Sequence, residues 1–235
     1  MRCRLCNWLC DRFCGPAYES SDFWEISRRW ESNHSNDWEL WDSDSEEAHN
    51  GNNLARAVYA HDKAMAFATY KSLADNGSVW AMRQAGKVLE HGLGVERNLE
   101  LAEKYYYKAL LAGSWMATLD LAALLFENKV NDKWRGILEN GVESDFVPAC
   151  FWLGYYLSKG AGRKRMITEV KPLMERAAVS GHPGARKMLA RWKLLGRFGL
   201  GEIANGFREF GALIEDFAKD RLLDNAVQTP ISASA

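Results

Sequence analysis

The sequence predicts an all-α fold, an α-solenoid of stacked antiparallel helix pairs, on three observations. Ala81, Ala117, Ala149 and Ala185 recur at intervals of 36, 32 and 36 residues. Each is followed at +5 by a tiny residue: Gly86, Ala122, Gly154 and Ala190. Each is followed at +11 by a residue suited to left-handed backbone: Gly92, Asn128, Gly160 and Gly196. A period of this length with helical spacing inside it marks a repeat of helix pairs, because one pair cannot bury its apolar face without a neighbour.

Four zones follow in order. Residues 1–16 form a cysteine-rich head, and residues 17–52 an acidic, Trp-rich segment. Residues 53–220 carry the array, and residues 221–235 read as a tail. Within the array the first helix of each pair begins near the recurring alanine. Small residues there and at +5 let helix axes approach, while Val88, Leu124, Tyr156 and Trp192 at +7 fill the space beyond. The second helices are read from Gly77, Gly113, Gly141 and Gly181 as the glycines that end them. Residues 4, 7 and 11 before each glycine lie on one helical stripe, as in Ala109, Tyr106 and Ala102. On this register the second repeat lacks eight residues between its helices, its second helix spans Asp132–Glu139 in about two turns, and the following link is eight residues instead of four, which restores half of them. Pro148 and Pro183 suit first helical turns, and Pro172 starts or kinks a second helix.

The block from Ala81 through Gly92-Leu93-Gly94-Val95, Ala102 and Tyr106-Tyr107-Lys108-Ala109 to Gly113 resembles a Sel-one-like repeat, a tetratricopeptide-related helix pair. Residues 149–181, closing on Glu175-Arg176-Ala177-Ala178-Val179-Ser180-Gly181, resemble it more loosely, and the likeness spans roughly 53–215. The resemblance implies a non-enzymatic scaffold or adaptor whose first helices line a concave face that binds a protein or peptide partner. On those helices the candidates are Trp80, Arg83, Lys87 and Glu90, then Trp115, Thr118 and Asp120. Trp152 and Tyr155 come next, then Arg186, Lys187 and Arg191.

Net charge is −1, but it is unevenly spread. Residues 19–47 hold ten acids against Arg28 and Arg29, a balance of −8; residues 133–197 hold thirteen Lys/Arg against five acids, a balance of +8. Solvated faces account for both runs, and so does attraction between them or to separate partners. Residues 17–52 read either as an irregular helix pair capping the array or as a segment that folds back on the basic half.

The head offers candidate metal ligands in Cys3, Cys6, Cys10 and Cys14, since thiolates bind zinc. On a straight helix Cys3 and Cys14 stand about 16.5 Å apart at ~1.5 Å per residue, too far for one ion. No second CxxC follows at finger spacing. An amphipathic helix whose thiols pack as small hydrophobes, or are lipidated or oxidised, explains the pattern as well. A metal- or redox-responsive regulator is therefore the alternative function, and no metal or other cofactor is assigned. His34, His49, His61, His91 and His182 match no ligand pattern, and His91 and His182 are read at helix C-terminal ends. Gly92-Leu93-Gly94-Val95 follows a helix rather than a strand and is not a phosphate loop. Catalytic residues are not assigned. A β-lactamase-like activity known among cysteine-rich relatives is disfavoured, because the array holds Cys150 alone. Nucleic acid is not expected as a partner. No apolar run approaches the ~20 residues of a membrane span. Met1–Gly15 lacks an apolar signal core, so the expected setting is the cytoplasm.

Overall fold

The computed structural model describes residues 21–129 and 132–213. Among these the regular structure is helical: α1 (Ser21–Asn33), α2 (Asp37–Asp42), α3 (Glu46–Val58), α4 (Lys63–Asp75), α5 (Val79–His91), α6 (Leu99–Leu111), α7 (Trp115–Glu127), α8 (Lys133–Glu143), α9 (Val147–Leu157), α10 (Lys171–Val179) and α11 (Pro183–Leu194). Residues 203–213 are also helical, and we label them α12. The cysteine head and the tail lie outside the described residues. α3 runs across residue 52, where the sequence reading sets the start of the array.

The described residues form two compact units, one within residues 28–156 and one of residues 21–27 with 157–213. In the first, each helix from α3 to α7 packs on the next, α5 also touches α7, and α2 lies on α5. That is the succession of a helix-pair solenoid. Helix starts are set by side chains that take an orphan backbone N–H. Ser45, Asp62, Ser78, Asn98 and Ser114 accept from the residue three positions on. Such a cap stabilises a helix by roughly 0.5–2 kcal/mol.

The small/large packing pattern is visible at α5 and α6. A Cβ on Gly86 would lie 2.5 Å from Tyr106 Cε1, so only glycine lets that ring rest on the α5 backbone. The ring is fully buried, and its hydroxyl donates to Glu90 Oε2 at 2.8 Å. Around it Ala81, Ala85, Val88, Ala102, Ala109, Ala117, Leu121 and Leu124 form one core. Each buried leucine or valine contributes about 1.5–3 kcal/mol.

The second repeat corrects the sequence reading. α8 has eleven residues, three turns rather than two, and continues past Gly141 to Glu143. Gly141 sits inside the helix because a Cβ there would meet the Ala149 Cβ at 2.8 Å. The left-handed residue that ends this helix is Asp145, at φ 59°. Asp145 stands four residues before Ala149, just as Gly113 stands four before Ala117. On that register seventeen residues separate Asn128 from Asp145 where Gly92 and Gly113 are twenty-one apart. The net shortening of four residues is therefore direct, with no eight-residue gap restored by a longer link. Two are missing from the loop between the helices and two from the second helix, and its buried positions are Leu138 and Gly141.

The +11 position is corrected as well. Gly92, Gly160 and Gly196 are left-handed, but Asn128 has φ −89° and the following Lys129 takes φ 52°. A lysine held there carries backbone strain. Lys129→Gly should therefore raise stability by about 0.5–1 kcal/mol, net of the freedom glycine adds to the unfolded chain. A thermal melt that drops instead would show that this turn is unstrained.

In the second unit α10 packs on α11. Met166, Val170, Met174 and Ala177 form the buried stripe read from Gly181. Residues 166–170 are π-helical immediately before α10, whose first turn holds Pro172. The wider turn accommodates a ring that has no N–H to give and would press on a carbonyl behind it. His182 is not a C-terminal residue: it is buried and caps α11, with Nδ1 accepting from the Ala185 N–H at 3.2 Å.

Candidate functional site

The face carried by α5 and α7 is lined by polar groups held in a low-exposure setting. Arg83 lies on the second turn of α5 and Asp120 on the second turn of α7. Arg83 Nε donates to Asp120 Oδ2 at 2.8 Å, and its Nη1 donates to Asp37 Oδ2 at 2.8 Å. The Arg83 side chain is only 8% exposed, so both bonds are shielded from water. Burial works against its charge, but Asp120 and Asp37 more than offset this and its pKa is raised. Burial likewise pushes the Asp120 carboxyl up, yet Arg83 and Lys87 outweigh it and the net shift is downward. Lys87 Nζ stands 3.9 Å from Asp120. That carboxylate favours its charge, but burial with Arg83 and Arg28 nearby prevails and its pKa is lowered.

Asp37 comes from the acidic segment. It starts α2, and with Asn36 it docks on the N-terminus of α7, 77 residues away in sequence. Asn36 Oδ1 accepts from the Trp115 N–H at 3.0 Å, and its Nδ2 donates to the Gly113 carbonyl at 2.8 Å. Asp37 Oδ1 accepts from the Met116 N–H at 3.1 Å, and the Ser114 hydroxyl donates to Asp37 Oδ2 at 2.9 Å. Ser114 accepts in turn from the Ala117 N–H. Three orphan donors of α7 are thus satisfied, two by residues of a distant segment.

The contact is repeated on α5. The Ser78 hydroxyl, which caps Ala81, donates to Asp44 Oδ2 at 2.7 Å. Beside it the Trp41 ring meets Trp80 edge-on at 5.3 Å, and Trp80 meets Tyr70 in the same way. On α9 the Trp152 indole N–H donates to Glu31 Oε1 at 2.9 Å, and Glu31 is 2% exposed.

The sequence-predicted residues therefore fall into two sets. In the first unit Trp80, Arg83 and Trp152 each contact residues 31–44. Glu90 accepts from Tyr106, and burial raises its pKa despite that bond. Trp115 packs on Phe146 at 5.2 Å, and Tyr155 stacks on Phe151, meets Trp152 edge-on and lies tilted against Tyr156. Thr118 is buried with its methyl over Gly141. In the second unit Arg186, Lys187 and Arg191 lie on α11. Lys187 is buried. Arg186 is exposed and lines an open groove of about 540 Å³ with Glu175, Leu189, Lys193, Glu209 and Leu213. Sequence reasoning missed Asn36, Asp37, Asp44 and the two serines. The available signal was the serine three residues before Ala81 and again before Ala117.

Arg83 lies outside the basic stretch 133–197, so the partner of Asp37 is not the region that the charge balance singled out. Cys150 is fully buried. Among the described residues no group of His, Cys, Asp and Glu is arranged to hold a metal ion, and no helix is long and apolar enough to cross a membrane.

The succession of capped helix pairs with small residues at their crossings defines a helical-repeat solenoid. The family model for the Sel1 repeat matches residues 81–114 and 147–165. The chain thus carries Sel1 repeats at these residues. It is similar in fold to the crystal structure of a Sel1 repeat protein from Oxalobacter formigenes, with TM-score 0.55 and 18% identity over 70% of this chain and 72% of that one. It is also similar to c5321, a protective antigen of uropathogenic Escherichia coli strains displaying an SLR fold, with TM-score 0.53 and 23% identity. That match covers 70% of this chain and 38% of the antigen. No curated protein sequence matches.

Proposed function

We propose that this protein is a non-enzymatic scaffold that holds a protein segment along the first helices of its repeats. The observation that carries the reading is the seating of residues 31–44 on that face, with one polar anchor each on α5, α7 and α9. A surface that holds one polypeptide segment by its helix starts and buried charges has the chemistry to hold another. Repeat solenoids supply such extended surfaces, and Sel1-repeat architecture favours protein rather than nucleic-acid partners. The cytoplasmic setting expected from the sequence belongs to the same proposal.

The test places a photo-crosslinking amino acid at Lys87 on α5, or at Leu111, which is exposed on α6. Crosslinked peptides from the native cell are then mapped by mass spectrometry. The reading expects partner peptides from position 87 and none from position 111. The opposite distribution would move the binding surface to the second helices.

A further inference from the structure

The three anchors on this face follow a spacing. Glu31, Asp37 and Asp44 stand six and seven residues apart, and they meet Trp152 on α9, Ser114 at α7 and Ser78 at α5 in turn. The segment thus runs against the order of the repeats and offers one carboxylate to each. Residues 31–44 are not one helix: α1 ends at Asn33, residues 34–36 turn, and α2 ends at Asp42, so the three carboxylates are placed by two helices and the turns between and after them. The spacing of six and seven residues is set by this helix-turn-helix path along the face. At its centre the site is built rather than incidental. The α7 N-terminus, Ser114 and the shielded Arg83 converge on one carboxylate.

From this we infer the partner class: the first-helix face binds an acidic, largely helical segment of another protein that presents a carboxylate every six or seven residues, and residues 31–44 are its intramolecular occupant. The inference rests on the scaffold reading above and names the chemistry of its ligand. A tethered segment acts at an effective concentration in the millimolar range, so an outside ligand gains access only by displacing it. Loosening the tethered copy should open the site. Contacts that are carboxylate-to-donor should weaken with salt.

The probe is a fluorescein-labelled peptide of residues 30–44, read by anisotropy against the full chain. Wild type is compared with Asn36→Ala/Asp37→Ala and, separately, with Asp44→Ala. The two variants loosen different anchors, so at least one folded form remains to be read; circular dichroism and a cooperative melt establish which. We expect a folded variant to bind the peptide at least tenfold tighter than wild type. Binding should weaken several-fold between about 50 and 300 mM salt. A second peptide of the same composition, with the Asp37 and Asp44 carboxylates brought about five residues apart, should bind at least tenfold more weakly, because its carboxylates can no longer meet Ser114 and Ser78 together. Equal binding of both peptides, or no binding to a folded variant, overturns the inference. So does a concentration-dependent wild-type dimer that the peptide dissolves, which would give the face to a second copy of this chain. If the peptide fails while crosslinks from position 87 still reach a native partner, the ligand class is wrong and the scaffold stands. If crosslinks fall only at position 111, the binding surface lies on the second helices and the reading of the first-helix face as the scaffold's binding site fails.

Discussion

Replacing Arg83 by methionine should cost about 3–5 kcal/mol of stability, the loss expected when one member of a buried ion network is removed. Methionine fills much of the space of the arginine stem, so the loss is not a cavity effect. It arises because Asp120 and Asp37 are left with side chains only 16% and 13% exposed, and the nearby cations, Lys87 at 3.9 Å from Asp120 and Arg28, do not replace the two hydrogen bonds that Arg83 makes. A double-mutant cycle with Asp120→Asn should recover a substantial part, since removing both partners costs less than orphaning one. The pH dependence has a defined sign. In wild type the folded Asp120 pKa lies below its usual value, because Arg83 and Lys87 outweigh the burial that raises it. Its contribution is complete above the ordinary carboxylate range and is lost as pH falls through the depressed folded value. Without Arg83 burial prevails, so the folded form favours protonation and the deficit should narrow as pH falls. Denaturant melts at pH 7 and pH 4 read this directly. A deficit that is constant with pH would show that Arg83 acts by packing alone.

The same cluster shows where sequence reading stops. The helix pairs were legible because their packing is local and periodic: Ala81 and Gly86 on α5 and Tyr106 on α6 restate one rule at each period. Arg83 and Trp80 were read as available to a partner because hydropathy does not distinguish a charge facing solvent from one facing a carboxylate 46 residues away. Asn36 and Asp37 look like any loop start, and their meaning exists only once the α7 N-terminus is placed above them. The register slip in the second repeat has a different cause. Gly141 resembles a helix-ending glycine in sequence, yet it is kept small by Ala149 from a neighbouring helix. Asp145, which does end the helix, takes the left-handed conformation without the residue type that announces it.

Gly94 and Gly162 occupy the same place in the motif, two residues after Gly92 and Gly160, and the structure predicts opposite responses to alanine. Gly94 has φ +78°, and a Cβ there would meet Lys63 and Ala64 at the start of α4, with the Lys63 carbonyl carbon at 2.9 Å and the Ala64 nitrogen at 3.0 Å. Those are backbone atoms, which cannot rotate aside. Left-handed strain of about 1–2 kcal/mol and overpacking of about 1–3 kcal/mol act together, so Gly94→Ala should cost roughly 2–4 kcal/mol. Gly162 has φ −71°, open to any residue, with nothing within 4 Å of a Cβ. There the entropy removed from the unfolded chain offsets the loss of a residue tolerated at a helix start, and Gly162→Ala should fall within about 0.5 kcal/mol of wild type. The difference has a structural reason. The loop after α5 closes on the N-terminus of α4 and thereby fixes one helix pair against the next, which in turn sets the step at which Ser78 and Ser114 present themselves. Gly94→Ala should accordingly speed amide hydrogen exchange in α4 ahead of α7. Equal losses at the two glycines would mean that the turn is governed by its residue type and not by the contact with α4.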